Sequence, residues 1–176
     1  EVILNQLYKH TQLETTFGVI NVALVGNQPK ILSLKELINF YIIHRREVVR
    51  RRTLFELNKA ESRAHILEGL IIALQDIDSI IKLIKSSRDA EIAKISLIEN
   101  YKLSEKQSLA ILDMKLQRLT SLETEKINEE YHNLLKLVSE LKKILADENK
   151  ILKIIKDEII ELKEKYKDNR RTQILD

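Results

Sequence analysis

The sequence predicts a mainly α fold: a long antiparallel coiled-coil hairpin with a small helical head, preceded by a short β-hairpin. Three observations lead there. Among 176 residues there are three Gly and one Pro, with 32% charged and 44% apolar side chains. A chain this poor in breakers and rich in Leu, Ile, Lys and Glu belongs to long helices. No breaker falls between Ser33 and Gly69. Apolar residues also recur at alternating steps of three and four on both sides of a central region, the mark of helix pairing.

Residues 3 to 12 suit a short helix. Thr16 to Val25, then Gly26-Asn27-Gln28-Pro29, then Lys30-Ile31-Leu32 read as strand, turn and strand. Pro29 is placed in the turn, where its missing N–H costs little. Ser33-Leu34-Lys35-Glu36 forms a capping box that opens a helix running to about Leu74. Gly69 within it costs only about 1 kcal/mol of helix propensity. Leu67, Leu70, Leu74, Ile77, Ile81 and Ile84 continue the seam, and Asp76 and Asp78 mark a bend. Shorter helices are expected over Arg88 to Asn100 and over Glu105 to Leu116, the second capped by Ser104 and Gln107. A box at Thr120-Ser121-Leu122-Glu123 opens a helix with Ile127, Tyr131, Leu134, Val138, Leu141 and Leu145 on one stripe. After Asp147 a last helix repeats the rhythm with Leu152, Ile155, Ile159, Leu162 and Tyr166.

The absence of Cys rules out disulfides and thiolate metal sites and fits a reducing, cytoplasmic setting. No run approaches the roughly 18 apolar residues of a membrane span, and no signal peptide opens the chain. Because it starts at Glu1 rather than Met, it reads as a piece of something larger. His10, His44, His65 and His132 have no metal-site spacing, and neither a phosphate-binding glycine loop nor a Gly-x-Ser-x-Gly elbow occurs. Catalytic and metal residues are therefore assigned to none. Tyr41, Tyr131 and Tyr166 fall on apolar stripes without an activating arginine beside them, as core or seam tyrosines do.

The segment from His44 to Thr53 packs five arginines into eight residues. Between Ser33 and Arg63, eight basic residues face four acidic ones, an excess of four against +3 for the whole chain. Such unevenness suggests a polyanionic partner. At about 100° per residue, Arg45, Arg52, Lys59 and Arg63 lie within about 40° of one another along about 27 Å of helix. Arg46 and Arg50 lie beside them. A line like this could follow duplex phosphates without reading sequence. The alternative is a solvated face braced by Glu47–Arg51 and Arg52–Glu56 pairs at i,i+4 spacing. A leucine-zipper DNA reader would also place basic helix before heptads, but its Asn and Ala base-reading positions are missing.

The order of segments carries more. Leu7-Tyr8-Lys9-His10-Thr11-Gln12-Leu13, Thr16-Phe17-Gly18 and Gln28-Pro29-Lys30 come first. His44-Arg45-Arg46-Glu47-Val48-Val49, Arg51-Arg52-Thr53, Phe55-Glu56-Leu57 and Lys59-Ala60-Glu61 follow. Then come Arg63-Ala64-His65-Ile66-Leu67-Glu68-Gly69-Leu70, Gln107, Ala110-Ile111-Leu112-Asp113-Met114, Leu116-Gln117-Arg118-Leu119-Thr120 and Arg170-Arg171-Thr172. Together, over essentially the whole chain, these resemble the A subunits of bacterial-type DNA gyrase, a type IIA topoisomerase. The corresponding component of topoisomerase IV is the nearest paralogue. The forms at Arg51–Glu61 and Ala110–Thr120 look more gyrase-like, while Phe17-Gly18-Val19-Ile20-Asn21 departs slightly from the usual pattern in the hairpin.

The resemblance implies that residues 1–32 end a tower domain and that 33–176 form the coiled-coil arm. A head at about 76–120 would make the C-gate through which a transported duplex leaves. It implies a homodimer through the head, sequence-independent duplex DNA, and gyrase B subunits in an A2B2 enzyme. ATP and Mg²⁺ would sit in that partner, leaving no cofactor in this stretch. The family's catalytic tyrosine lies in an Arg-Tyr-Thr context upstream; no such tripeptide occurs here. The DNA-wrapping β-propeller would lie downstream. Expected DNA contacts are Arg45, Arg46, Arg50, Arg52, Lys59 and Arg63. The expected twofold contact of the head uses Ile111, Leu112, Met114, Leu116 and Leu119. The competing reading is a generic coiled-coil scaffold whose arginines only solvate it.

Overall fold

The computed structural model describes residues 1–115 and 121–174. Its elements are α1 (Val2–His10), β1 (Asn21–Val25), β2 (Gln28–Leu32), α2 (Leu34–Gln75), α3 (Ile77–Ser86), α4 (Ala90–Tyr101), α5 (Glu105–Leu112), α6 (Ser121–Leu145) and α7 (Glu148–Tyr166). The chain divides into two units, Glu1–Arg45 and Arg46–Asp176, with α2 passing from one into the other.

In the first unit β1 and β2 pair antiparallel, from Asn21 opposite Leu32 to Val25 opposite Gln28. Gly26 and Asn27 form a two-residue turn, both with left-handed φ, at 56° and 65°. That is the geometry whose twist matches paired strands. Pro29 therefore lies in β2, opposite Leu24, and not in the turn as the sequence suggested. The pair flanking a two-residue turn is hydrogen-bonded, so the next pair is not, and proline there removes no ladder bond. Thr16–Ile20, expected to begin the strand, lies outside it because β2 stops at Leu32 and offers them no partner. Leu32 is the one buried residue of this unit, and Tyr41, expected in a seam, is 47% exposed.

Ser33 closes its capping box in both directions. Its backbone N–H donates to Glu36 Oε2 at 2.8 Å, and the Glu36 N–H donates to Ser33 Oγ at 3.4 Å. These bonds hold the Glu36 carboxyl below its usual range, the backbone bond most of all. From this cap α2 runs 42 residues.

In the second unit α6 and α7 return antiparallel along α2. Buried Leu57 and Ala60 pack with Val138 and Leu141, and Val49 packs with Ile151 and Ile155. The buried positions of α2 are Val49, Thr53, Leu57, Ala60, Ala64, Leu67, Gly69, Leu70 and Ala73, so many of the seam side chains are small and the helices can approach closely. Asp147 caps α7, its Oδ1 accepting from the Asn149 N–H at 2.9 Å. The α7 stripe departs from expectation. Ile151 and Ile155 are buried, whereas Ile159, Leu162 and Tyr166 are 41%, 52% and 68% exposed. Spacing chooses a face, but burial needs a partner, and the cluster around Val49 reaches only Ile155.

The head begins where α2 breaks at Asp76, as expected, and consists of α3, α4 and α5. Its core joins Leu67, Leu70 and Ala73 of α2 to Ile80, Leu97, Leu103 and Ile111, and to Ile127 of α6, with Tyr131 half-buried beside them. The Ser104–Gln107 box that opens α5 forms as read. The helix ends at Leu112 rather than Leu116. There the Met114 N–H turns back to the Ile111 carbonyl, a tighter bond that closes the last turn. Leu116 and the Thr120 cap lie outside the described residues.

Candidate nucleic-acid interface

The arginine-rich part of α2 crosses the boundary between the units. Arg45, half-buried, ends the first; Arg46, Arg50, Arg52, Lys59 and Arg63 belong to the second. At about 100° per residue, Arg52, Lys59 and Arg63 lie on one flank of the buried seam. Arg50 falls on the other flank, with Glu61.

Most of these cations are already engaged. Arg63 forks onto Glu130 of α6, Nε at 2.7 Å and Nη2 at 3.0 Å from the two carboxylate oxygens. That hydrogen-bonded carboxylate raises the guanidinium above its ordinary pKa. Arg52 donates to Glu158 of α7 at 2.8 Å, not to Glu56 four residues along as its spacing suggested. Arg50 donates to Glu148 at the start of α7. Arg51 and Glu47 do meet within α2, at 3.6 Å, and Lys142 of α6 reaches Glu61 at 2.8 Å. Antiparallel pairing brings acids some hundred residues distant to the arginines, which local spacing could not reveal. Among the described residues, Arg46 and Lys59 have no ion-pair partner. Lys59 borders a shallow groove with Glu56, Ala60, Arg63, Leu134 and Leu137.

The five head positions separate as well. Ile111 is 3% exposed and belongs to the head's own core. Leu112 and Met114 are half-buried and line an open apolar groove of about 210 Å³ with Ile77, Ile80, Ile81, Ile84 and Lys85. Leu116 and Leu119 lie outside the described residues. Ile92, Ile95 and Leu109, not singled out in the sequence, add exposed apolar surface at 44%, 46% and 46%. Sequence spacing did not mark them, since a helix period does not say which apolar residue remains uncovered.

The head is tied to α2 by polar contacts. Gln107 Nε2 donates to the His65 carbonyl at 2.8 Å, and Gln107 Oε1 accepts from the Ser104 N–H at 2.9 Å. His65 Nε2 lies 2.7 Å from Ser104 Oγ. The Tyr101 hydroxyl donates to Asp76 Oδ2 at 3.0 Å. Lys94, with 14% of its side chain exposed, bridges Glu91 at 2.7 Å and Glu105 at 3.1 Å, and both carboxylates raise its pKa. Among the described residues no group of three or more His, Asp or Glu could hold a metal ion. No described helix is long and apolar enough to cross a membrane.

The family model for the DNA gyrase/topoisomerase IV A subunit matches residues 1–160. The chain belongs to this family. It is 58% identical over 173 residues to the DNA gyrase A subunit of Clostridium acetobutylicum, covering 98% of this chain and 21% of that protein. The Halalkalibacterium halodurans protein of the same name is 57% identical over the same coverage, and that of Helicobacter pylori 52% identical over 174 residues, 99% of this chain. The chain thus spans about a fifth of the length of the gyrase A subunits it matches. Within this gyrase-family segment the family-like motifs serve two faces. Thr53, Leu57 and Ala60 enter the seam, while Arg51, Arg52 and Lys59 stay outside it.

Proposed function

We propose that this chain is the arm and exit gate of a gyrase A subunit: residues 1–32 end the tower domain and 33–176 form the coiled-coil arm with its head. The observation that carries the reading is α2 paired with the returning α6 and α7, and capped by a small head with an open apolar groove. Two such heads would meet through Leu112 and Met114 and part again to release a transported duplex. The flank of Arg52, Lys59 and Arg63 would meet that duplex through phosphates, positioning it without reading bases. The whole protein would then be an ATP-dependent type IIA topoisomerase, with ATP and Mg²⁺ held by B subunits of an A2B2 assembly. This stretch would supply geometry and no cleavage, having no Arg-Tyr-Thr tripeptide.

A scaffold reading is favoured by one observation, the carboxylates on Arg50, Arg52 and Arg63. Sedimentation equilibrium from about 1 to 100 μM, spanning moderate and weak association, separates the two. The gate reading expects a reversible dimer that Leu112→Asp with Met114→Asp converts to a folded monomer. A strict monomer at every concentration sets the head contact aside.

A further inference from the structure

The arginines proposed to meet DNA are held in this chain by acids on the opposite helices. Arg52 with Glu158 and Arg63 with Glu130 flank Lys59, which carries no partner among the described residues. All four paired side chains remain open to solvent: 46% and 30% exposed in the first pair, 42% and 44% in the second. Ion pairs this exposed contribute little to stability, so they can open at small cost. A phosphodiester oxygen pair also presents the same acceptor fork as a carboxylate, and the guanidinium suits both.

We propose that Glu130 and Glu158 are internal stand-ins for DNA phosphates, masking Arg52 and Arg63 on either side of Lys59 until a duplex displaces them. The proposal rests on the reading of this flank as a phosphate track. Of Arg52, Lys59 and Arg63, only Lys59 is without an ion-pair partner among the described residues. When a duplex lies along the flank, Arg63 exchanges Glu130 for a phosphate and Arg52 exchanges Glu158. Each exchange takes the arginine from a carboxylate that stays close to the DNA backbone, and its negative charge opposes retention. Contact is therefore weak and readily reversed, as a gate through which DNA must leave requires. The masking is built into helix pairing: Glu130 stands on α6 and Glu158 on α7, so the antiparallel register sets both pairs.

The test is fluorescence anisotropy of a labelled duplex of about 20 base pairs with the 176-residue chain, from about 50 to 200 mM salt. The Glu130→Gln/Glu158→Gln variant removes both masks. Glu125→Gln/Asp157→Asn makes the same change in net charge at exposed positions about half a helical turn from the buried faces of α6 and α7. Masking expects the first variant to bind at least about tenfold more tightly than the second at about 50 mM salt. Its slope of log K against log salt should steepen by about 0.9 for each arginine released. Equal gains in the two variants would overturn the masking while leaving the track in place. Binding by neither variant nor the unaltered chain would overturn the track itself. Arg52→Gln/Arg63→Gln provides the reciprocal check: it should erase the extra gain when combined with the Glu changes. A gain that survives removes these arginines from the account.

Discussion

Gly69 of α2 lies directly under Gln107 of α5, so close that a Cβ built on the glycine would stand 2.7 Å from both Cβ and Cγ of Gln107. The missing side chain lets α5 settle onto α2, and Gln107 uses the proximity to donate to the His65 carbonyl. That carbonyl is also the one to which a regular α-helix would direct the Gly69 N–H. A residue that looks like a mild flaw in a long helix is thus the seat of the head.

Gly69→Ala should therefore destabilise the chain despite the better helix former. Alanine contributes about 1 kcal/mol of propensity, whereas forcing atoms into a packed contact costs about 1–3 kcal/mol. The atoms in the way belong to the base of Gln107, not to a movable tip. Denaturant unfolding should show a net loss of up to about 2 kcal/mol, and Gly69→Val a larger one. A gain in stability for Gly69→Ala would mean that α5 does not pack here.

Ser108, the residue after Gln107, is fully buried, and its hydroxyl has no hydrogen-bond partner among the described residues. An orphaned buried hydroxyl costs about 1–3 kcal/mol against a satisfied one, while alanine carries no such cost. Ser108→Ala should be neutral or stabilising by up to about 1 kcal/mol in the same unfolding experiment. A marked loss instead would reveal a hydrogen bond to this oxygen.

Asp76 at the break between α2 and α3 gives the head a pH dependence on the acid side. Hydrogen bonds from the Ser79 side chain, first, and then from the Tyr101 hydroxyl favour its charged form and hold its pKa below the ordinary 3.8. A carboxyl depressed by folding stabilises the native state above its unfolded pKa and loses that contribution as the solution acidifies past it. Unfolding midpoints should hold at neutral pH and fall below about pH 4, with Asp76→Asn showing a shallower acid slope. An identical slope in the variant would assign the acid sensitivity to other carboxylates.

How much of this was legible in residue order depends on the range of the interaction. The Ser33 and Ser104 boxes join residues three apart, and both formed as read. The turn at Gly26-Asn27 was bracketed, but Pro29 was misplaced because strand register is set by pairing across the hairpin. The basic stripe was visible as charge, yet its pairing partners were not. Arg52 has an acid four residues along in Glu56 but pairs with Glu158 across the seam, a partner that spacing within one helix does not reveal.

By itself the sequence determined the helices, their caps and the alternating apolar faces, because propensity, capping and periodicity act within a few residues. It also held enough ordered motifs to indicate the family. Tertiary structure alone decided which apolar residues found a partner: Ile111 went into the core, Leu112 and Met114 onto a groove, and Ile159 and Leu162 remained uncovered. It decided, too, that Gly69 serves packing and that Arg52 and Arg63 face acids. Burial and ion pairing depend on what the opposite element presents, and that partner is fixed only when the chain turns back on itself.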